Sequence, residues 1–311
     1  MLSNRSCLDN SFNYPKRSID KTEIRDLRFT RFALFFLLLH RHFDENSLII
    51  FNMTSKKQKS SGYHYSYQEP FGHQVWGQTL GTTWLGLVKA ILDHNLVSFD
   101  EDRERIDLQN VRVRSNTQII PDKLIQKYGN KKNLDLLLKL TFRREKMVDT
   151  DVVPSFPPGA NSYYKRIIDG RMIDFVIGRL SMFPESKKAV MVFPNNNDYR
   201  TISAFPKNDY LPCIVSIQFR LVDFVENKNK RKSIDGYILN TIFTARSIDA
   251  FQKSYGNFCA IAELSKIIAK ALSKKLKVKI TVGPLDGLIT DAHIYKECLR
   301  DAKNIIKKWQ N

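Results

Sequence analysis

The stretch that decides the fold is Leu211–Asp249, LPCIVSIQFRLVDFVENKNKRKSIDGYILNTIFTARSID. Residues 214–225 and 237–243 are two apolar runs rich in β-branched and aromatic side chains. Such side chains suit a pleated, half-buried surface. The charged segment 226–235 separates them, so the spacing predicts a β-hairpin with a long turn. Leu-Pro-Cys enters the first strand, and Arg-Ser-Ile-Asp leaves the second. A hairpin reverses the chain, which can bring the thiol of Cys213 and the guanidinium of Arg246 together across 33 positions of sequence, 246 − 213.

Working outward, residues 189–193 (AVMVF) form a short apolar run suited to a buried strand. Residues 171–182 and 258–276 carry apolar positions at helical spacing, and residues 184–188 read as a turn. Residues 277–282 read as a strand and 295–309 as a final amphipathic helix. Toward the N-terminus, 124–140 looks helical and 106–113 alternates like a strand. Trp84 to Leu92 has helical spacing behind Thr82 or Thr83 as N-cap. Pro154, Pro157 and Pro158 make 152–160 a loop. Helices and strands that mix without strict alternation indicate an α+β fold with a mixed sheet.

The chain has 311 residues, 42% of them hydrophobic, enough for a sizeable core in one large domain or two small ones. Residues 1–60 read as a flexible basic N-terminal extension ending in a linker composition, SKKQKSSG. Residues 61–311 read as the folded domain, with residues 1–52 expected to be dispensable. The apolar run 32–39 is far shorter than the roughly 20 residues of a spanning helix. No small-x-small cleavage pattern follows it, so no membrane segment or signal peptide is expected. The net charge of +18 suits anionic partners, and equally a lysine-rich soluble protein. Few aromatics interleave with Lys127, Lys131, Lys132 and Lys139, which favours a solvated face over a nucleic-acid groove. The four cysteines are widely spaced with no CxxC, which excludes the common zinc and disulfide patterns and fits a reducing, cytoplasmic setting.

The P-loop, GxGxxG, HExxH and GxSxG signatures are all absent. What remains is a set of polar residues at strand ends: Cys213, Arg246, Ser247, Asp249, Asn257, Asp291, His293 and Tyr295. The order LPC, then QF, then ARSID, then an asparagine just before a helix, then DAHIY resembles the thymidylate synthase family. The upstream segment YYKRIIDGRMIDFVIGRL is similar to its archaeal-type branch. The resemblance runs firmly from Tyr163 to the C-terminus and loosely over residues 76–120.

The resemblance implies a three-layer fold with a mixed sheet and flanking helices, and a symmetric homodimer. It implies reductive methylation of dUMP to dTMP by 5,10-methylenetetrahydrofolate. Cys213 is then the nucleophile at C6 of the uracil ring. A thiol is mostly protonated at neutral pH and needs a nearby cation, the role of Arg246, which also meets the nucleotide phosphate. Ser247 joins it on the phosphate. Lys187 and Lys188 replace the family's paired arginines, which are donated across the dimer interface; lysine keeps the charge but loses the bidentate fork. Asn257 reads the uracil edge, since an amide accepts from N3–H and donates to O4; it also suits a helix N-cap. His293 and Tyr295, two apart and on one side of a strand, bind the sugar 3′-hydroxyl. Asp249 lies beside phosphate and nucleophile, and Tyr163 assists proton removal at C5. Departures from the family pattern are Ile214 for a histidine, Ala245 for a glutamine and Tyr164 for a glycine. Arg103 and Arg105 are candidates for its loop arginine, and Glu145 for its glutamate. Two other readings stay open: a pyrimidine nucleotide hydroxymethylase, in which water takes the place of hydride, and a catalytically weak nucleotide- or nucleic-acid-binding protein.

Overall fold

Nine strands form a single mixed sheet in the order β1-β2-β4-β9-β7-β6-β5, with β3 on β4 and β8 on β9. The computed structural model describes residues 62–68, 72–148, 159–205, 210–224 and 236–311. The expected N-terminal extension, the hairpin turn 226–235 and most of the proline-rich loop lie outside the described residues. The strands are β1 Tyr63–Gln68, β2 Gly72–Gly77, β3 Val97–Asp100, β4 Arg103–Ser115 and β5 Val190–Val192. They continue with β6 Ile214–Phe224, β7 Gly236–Ala245, β8 Ile248–Asp249 and β9 Lys279–Tyr295. The helices are α1 Leu80–His94, α2 Lys123–Tyr128, α3 Lys131–Phe142 and α4 Tyr163–Asp169. After them come α5 Met172–Met182, α6 Asn196–Ala204, α7 Ser254–Leu276 and α8 Leu299–Gln310.

The expected hairpin is β6 and β7, paired antiparallel from Ile214↔Ala245 to Phe224↔Gly236. β7 runs parallel to β9, and β9 runs antiparallel to β4. Those directions place the start of β6, the end of β7, the end of β9 and the start of β4 at one end of the sheet. Every strand that carries a candidate site residue delivers it there. The buried core includes Trp84, Phe219, Phe243, Tyr255 and Phe258, and α1 and α7 are its most buried helices.

Local chemistry explains where elements differ from expectation. The expected helix 124–140 is two helices, because Gly129 ends α2 and the Asn130 side chain caps α3, accepting from Lys132 and Asn133. α1 starts earlier than expected. Its N-cap is Thr79, whose hydroxyl accepts from Thr82 N–H while Thr82 Oγ1 accepts from Thr79 N–H, a reciprocal capping box. β9 is far longer than the expected strand at 277–282. Gly283 and Pro284 read as a break, but they sit where the β7–β9 register skips Asn240 and β4 pairing has not begun. A proline is tolerated there because no ladder bond is lost.

The register also defines a second sheet face. Trp76, Arg114, Asp286, Ile242, Gln218 and Val190 form one cross-strand row. Arg112, Leu288, Thr244, Ser216 and Val192 form the next. Trp76, Ile242, Leu288 and Val192 on these rows are exposed large apolar residues.

Two glycines separate packing from propensity. A Cβ on Gly287 would lie 2.2 Å from carbons of the Phe243 ring, whereas one on Gly178, exposed in α5, meets nothing within 4 Å. Gly287→Ala is expected to destabilise by about 1–3 kcal/mol through overpacking. Gly178→Ala should stabilise by about 0.5–1 kcal/mol through helix propensity. Urea denaturation of the two variants checks both signs.

Candidate functional site

Cys213 precedes β6 directly and is partly exposed. Arg246 follows β7 directly. Its backbone N–H donates to Cys213 O at 2.9 Å, and its guanidinium Nη2 donates to Leu211 O at 2.7 Å. The cation therefore clamps the Leu-Pro-Cys segment while its remaining N–H groups face solvent, since Arg246 is exposed. The hairpin thus brings Arg246 against the backbone of the Leu211–Cys213 segment.

Tyr163, the first residue of α4, joins them. Its hydroxyl oxygen accepts from Ile214 N–H at 2.9 Å, and its ring stands edge-on to Phe193 at 5.0 Å. Burial, then the neighbouring Cys213 and Tyr210, push the phenol well above its ordinary range, and Ile214 N–H and Arg246 only partly offset this. The phenol therefore stays protonated at neutral pH and can donate.

Behind Tyr163 lies an ion pair not anticipated from sequence. Arg166 forms a bidentate bridge to Asp198, 2.7 Å to each oxygen, and Nη1 also donates to Phe193 O at 2.8 Å. Its guanidinium lies over the Tyr210 ring, 5.6 Å from the centroid, and Tyr210 directly precedes Leu-Pro-Cys. A desolvated fork of this kind fixes geometry as well as charge. The signal available in the sequence was an arginine one helical turn from Tyr163, but its acceptor Asp198 sits in α6, a helix without a clear apolar period.

Asn257 is not an N-cap. α7 begins three residues earlier, at Ser254, and Asn257 lies within its first turns. The residue is only 8% exposed, and its side-chain amide makes no hydrogen bond to a described residue. It lines a cavity of about 20 Å³ together with Tyr163, Ile214 and Thr141. That is the space of one water.

Asp249 at the end of β8 is 5% exposed. Its carboxylate accepts from Phe251 N–H, Gln252 N–H and Gln252 Nε2 at 3.1, 2.9 and 2.7 Å. All these bonds shape the turn into α7, so Asp249 positions the helix that carries Asn257. His293 is 4% exposed, and its Nδ1 donates to Asp291 Oδ1 at 2.8 Å. Asp291 in turn takes both Arg105 amino groups, at 3.0 and 2.8 Å. Burial opposes the charge of Asp291, but His293 and the Arg105 guanidinium outweigh it and hold the carboxyl below its usual range. Arg105, one of the two loop-arginine candidates, is thus committed to this network. Ser247 Oγ lies 3.4 Å from His293 Nδ1, a weak contact beside the stronger one to Asp291. Tyr295 stands edge-on to His293 at 4.9 Å and donates its hydroxyl to Asp100 at 3.0 Å.

Lys187 and Lys188 are exposed in the turn before β5. Gln218 Nε2 donates to Lys187 O at 2.9 Å. Gln218 lies five residues along β6 from Cys213, about 16 Å at strand rise, so the fold does not bring these lysines to Cys213 of the same chain. A separate cleft of about 420 Å³ lies beside the start of α7 and is lined by Trp84, Tyr128, Asn130, Phe251, Gln252 and Tyr255 among others. Among the described residues no cluster of three metal-ligating side chains occurs, and no helix is long and apolar enough to cross a membrane. No family model and no curated protein matches the chain.

The Asp291 network makes stability depend on pH. A carboxyl held low in the folded state stabilises above its unfolded pKa, and that contribution disappears as pH falls through the folded value. Asp291→Asn should therefore lower the melting temperature at neutral pH. The gap to the parent protein should close in acid, below the carboxylate range. Thermal melts across a pH series check this, and a gap that persists in acid would mean the charge of Asp291 is not what stabilises.

Proposed function

We propose that the chain is a thymidylate-synthase-like methyltransferase, which reductively methylates dUMP to dTMP with 5,10-methylenetetrahydrofolate. The observation that carries this reading is Asn257. It is 8% exposed and its side chain makes no hydrogen bond to a described residue, so its donor and acceptor are open to a ligand edge. It sits beside Tyr163 and Ile214, the residue after the candidate nucleophile. A uracil edge offers N3–H to its oxygen and O4 to its amino group. The cavity holds only a water, so the ring would lie across its mouth, facing the half-exposed Cys213.

In this reading the Cys213 thiolate bonds to C6, and the electron pair of the C5–C6 double bond moves toward C5 and O4. Asn257 stabilises charge at O4 through its amino group. Arg246 favours the thiolate and, with Ser247, presents donors to the nucleotide phosphate. Tyr163, its oxygen already held by Ile214, keeps a proton to share with a water at C5. His293 and Tyr295, rigidly held by Asp291 and Asp100, face the sugar. The 420 Å³ cleft suits the folate: its aromatic walls, Trp84, Phe251 and Tyr255 among them, would stack a ring system. Bound there, the folate supplies both the one-carbon unit and the hydride. A reducing cytoplasm suits the free thiols.

The reading extends to a homodimer. The exposed apolar residues Trp76, Ile242, Leu288 and Val192, on two adjacent rows of one sheet face, offer a self-complementary surface, and Lys187 and Lys188 flank it at β5. Two copies paired across this face would carry each lysine pair toward the other's site, where the single chain leaves the phosphate short of cations.

Two experiments test the function. 5-Fluoro-dUMP with methylenetetrahydrofolate should form a covalent adduct on Cys213, because fluorine at C5 cannot leave as a proton does. Cys213→Ser should lose the adduct yet bind dUMP within about tenfold, or about 1.4 kcal/mol. An adduct on Cys259 or Cys298 instead would refute the assignment. Asn257→Asp should shift binding from dUMP toward dCMP, as an ionised carboxylate cannot donate to O4 but accepts from cytosine N4–H. Unchanged binding of both nucleotides would show that Asn257 does not read the base.

A further inference from the structure

A second large cleft opens on another side of α7. It has a volume of about 750 Å³ and runs between the loop before α2, α3 and the middle of α7. α7 presents Asn257, Ile261 and Leu264 to the small cavity and Cys259, Glu263 and Lys266 to this cleft, so different sides of one helix serve the two. The floor is apolar, with Ile125, Leu134, Leu138 and Phe142 among its lining residues. Protein interiors are close-packed, and an apolar trough of this size in a pocket-like shape is the usual form of a small-molecule site.

The charges around the rim decide what could fill it. Lys139 is paired with Asp135 at 2.5 Å, and Lys266 lies 3.9 Å from Glu263. Asp122 is consumed by three backbone N–H groups, those of Leu124, Ile125 and Gly81, at 2.8, 3.1 and 3.0 Å. The Cys259 thiol is pushed up to about 12, by burial and then by Asp122, so it lines the floor as a neutral group. Arg143 remains. It is exposed at the end of α3, and its guanidinium makes no hydrogen bond or ion pair with a described residue. The lining thus carries three carboxylates, Asp122, Asp135 and Glu263, and three cations, Lys139, Lys266 and Arg143, of which Arg143 has no partner among the described residues.

We infer that this cleft binds a small amphipathic monoanion, an aliphatic or aryl body bearing one carboxylate-like group, with the body over Leu138 and Phe142 and the anion on Arg143. The site is separate from the nucleotide site and does not depend on the proposed reaction.

Titration calorimetry of the full chain with decanoate tests this, with acetate and decyltrimethylammonium as controls. Decanoate should bind once per chain, below its micelle concentration. Acetate has the anion without the tail, the ammonium has the tail with the wrong charge, and both should bind far more weakly. Arg143→Glu, at an exposed position that leaves the fold intact, should weaken decanoate by about tenfold or more. Leu138→Trp should block the trough and abolish binding. The inference is overturned if the parent chain does not bind decanoate. It is equally overturned if the cationic amphiphile binds as well as decanoate, or if Arg143→Glu leaves decanoate binding unchanged.

Discussion

The pairing of β6 with β7 is the constraint on which the site depends. It is antiparallel, so the first residues of one strand and the last of the other meet, and Arg246 N–H closes on Cys213 O at 2.9 Å. β9 joins parallel to β7, which carries His293 and Tyr295 to the same sheet end. No loop has to be ordered to assemble these groups. They are held by ladder hydrogen bonds over a core that includes Phe219 and Phe243. A site built on rigid strands keeps its geometry better than one built on loops.

Two buried polar systems hold that end in place, and they do different work. The Arg166–Asp198 bridge fixes Tyr210 and the approach to Leu-Pro-Cys. The His293–Asp291–Arg105 network fixes the far side. Buried ion pairs add little net stability when both charges must be desolvated, but losing one partner costs about 3–5 kcal/mol. Their consequence here is orientation. They leave His293 with a single preferred ring position and Tyr163 with its oxygen already occupied. Between these networks, the Asn257 amide makes no hydrogen bond to a described residue, while in the second network Arg105 Nε is buried without one.

The hairpin, the helix at Met172–Met182 and the long helix α7 were legible in sequence because each has a clean period and a clear boundary; the run at 189–193 reads as a buried strand, but β5 is an edge strand on which Val192 is exposed. The strand ends that carry Cys213, Arg246, Ser247 and His293 followed from them. β1 and β2 were missed: β1 does alternate Tyr63, Tyr65 and Tyr67 with polar residues, but β2, GHQVWG, lacks such an alternation. β9 was truncated because Gly283 and Pro284 signal a break locally, and only the neighbouring register shows that none occurs. The partner of Arg166 and the burial of Asp249 and Arg105 were hidden for the same reason. Hydrogen-bond partners 32 or 186 positions away leave no trace in a local pattern.

The central claim is that Cys213 attacks a uracil nucleotide whose edge is read by Asn257. It is tested most directly by tritium release from [5-³H]dUMP, with and without methylenetetrahydrofolate, by the parent chain and by Cys213→Ser. The account predicts release that requires the folate and vanishes in Cys213→Ser. Folded protein that binds dUMP but releases no tritium, or release that survives loss of the thiol, would contradict it.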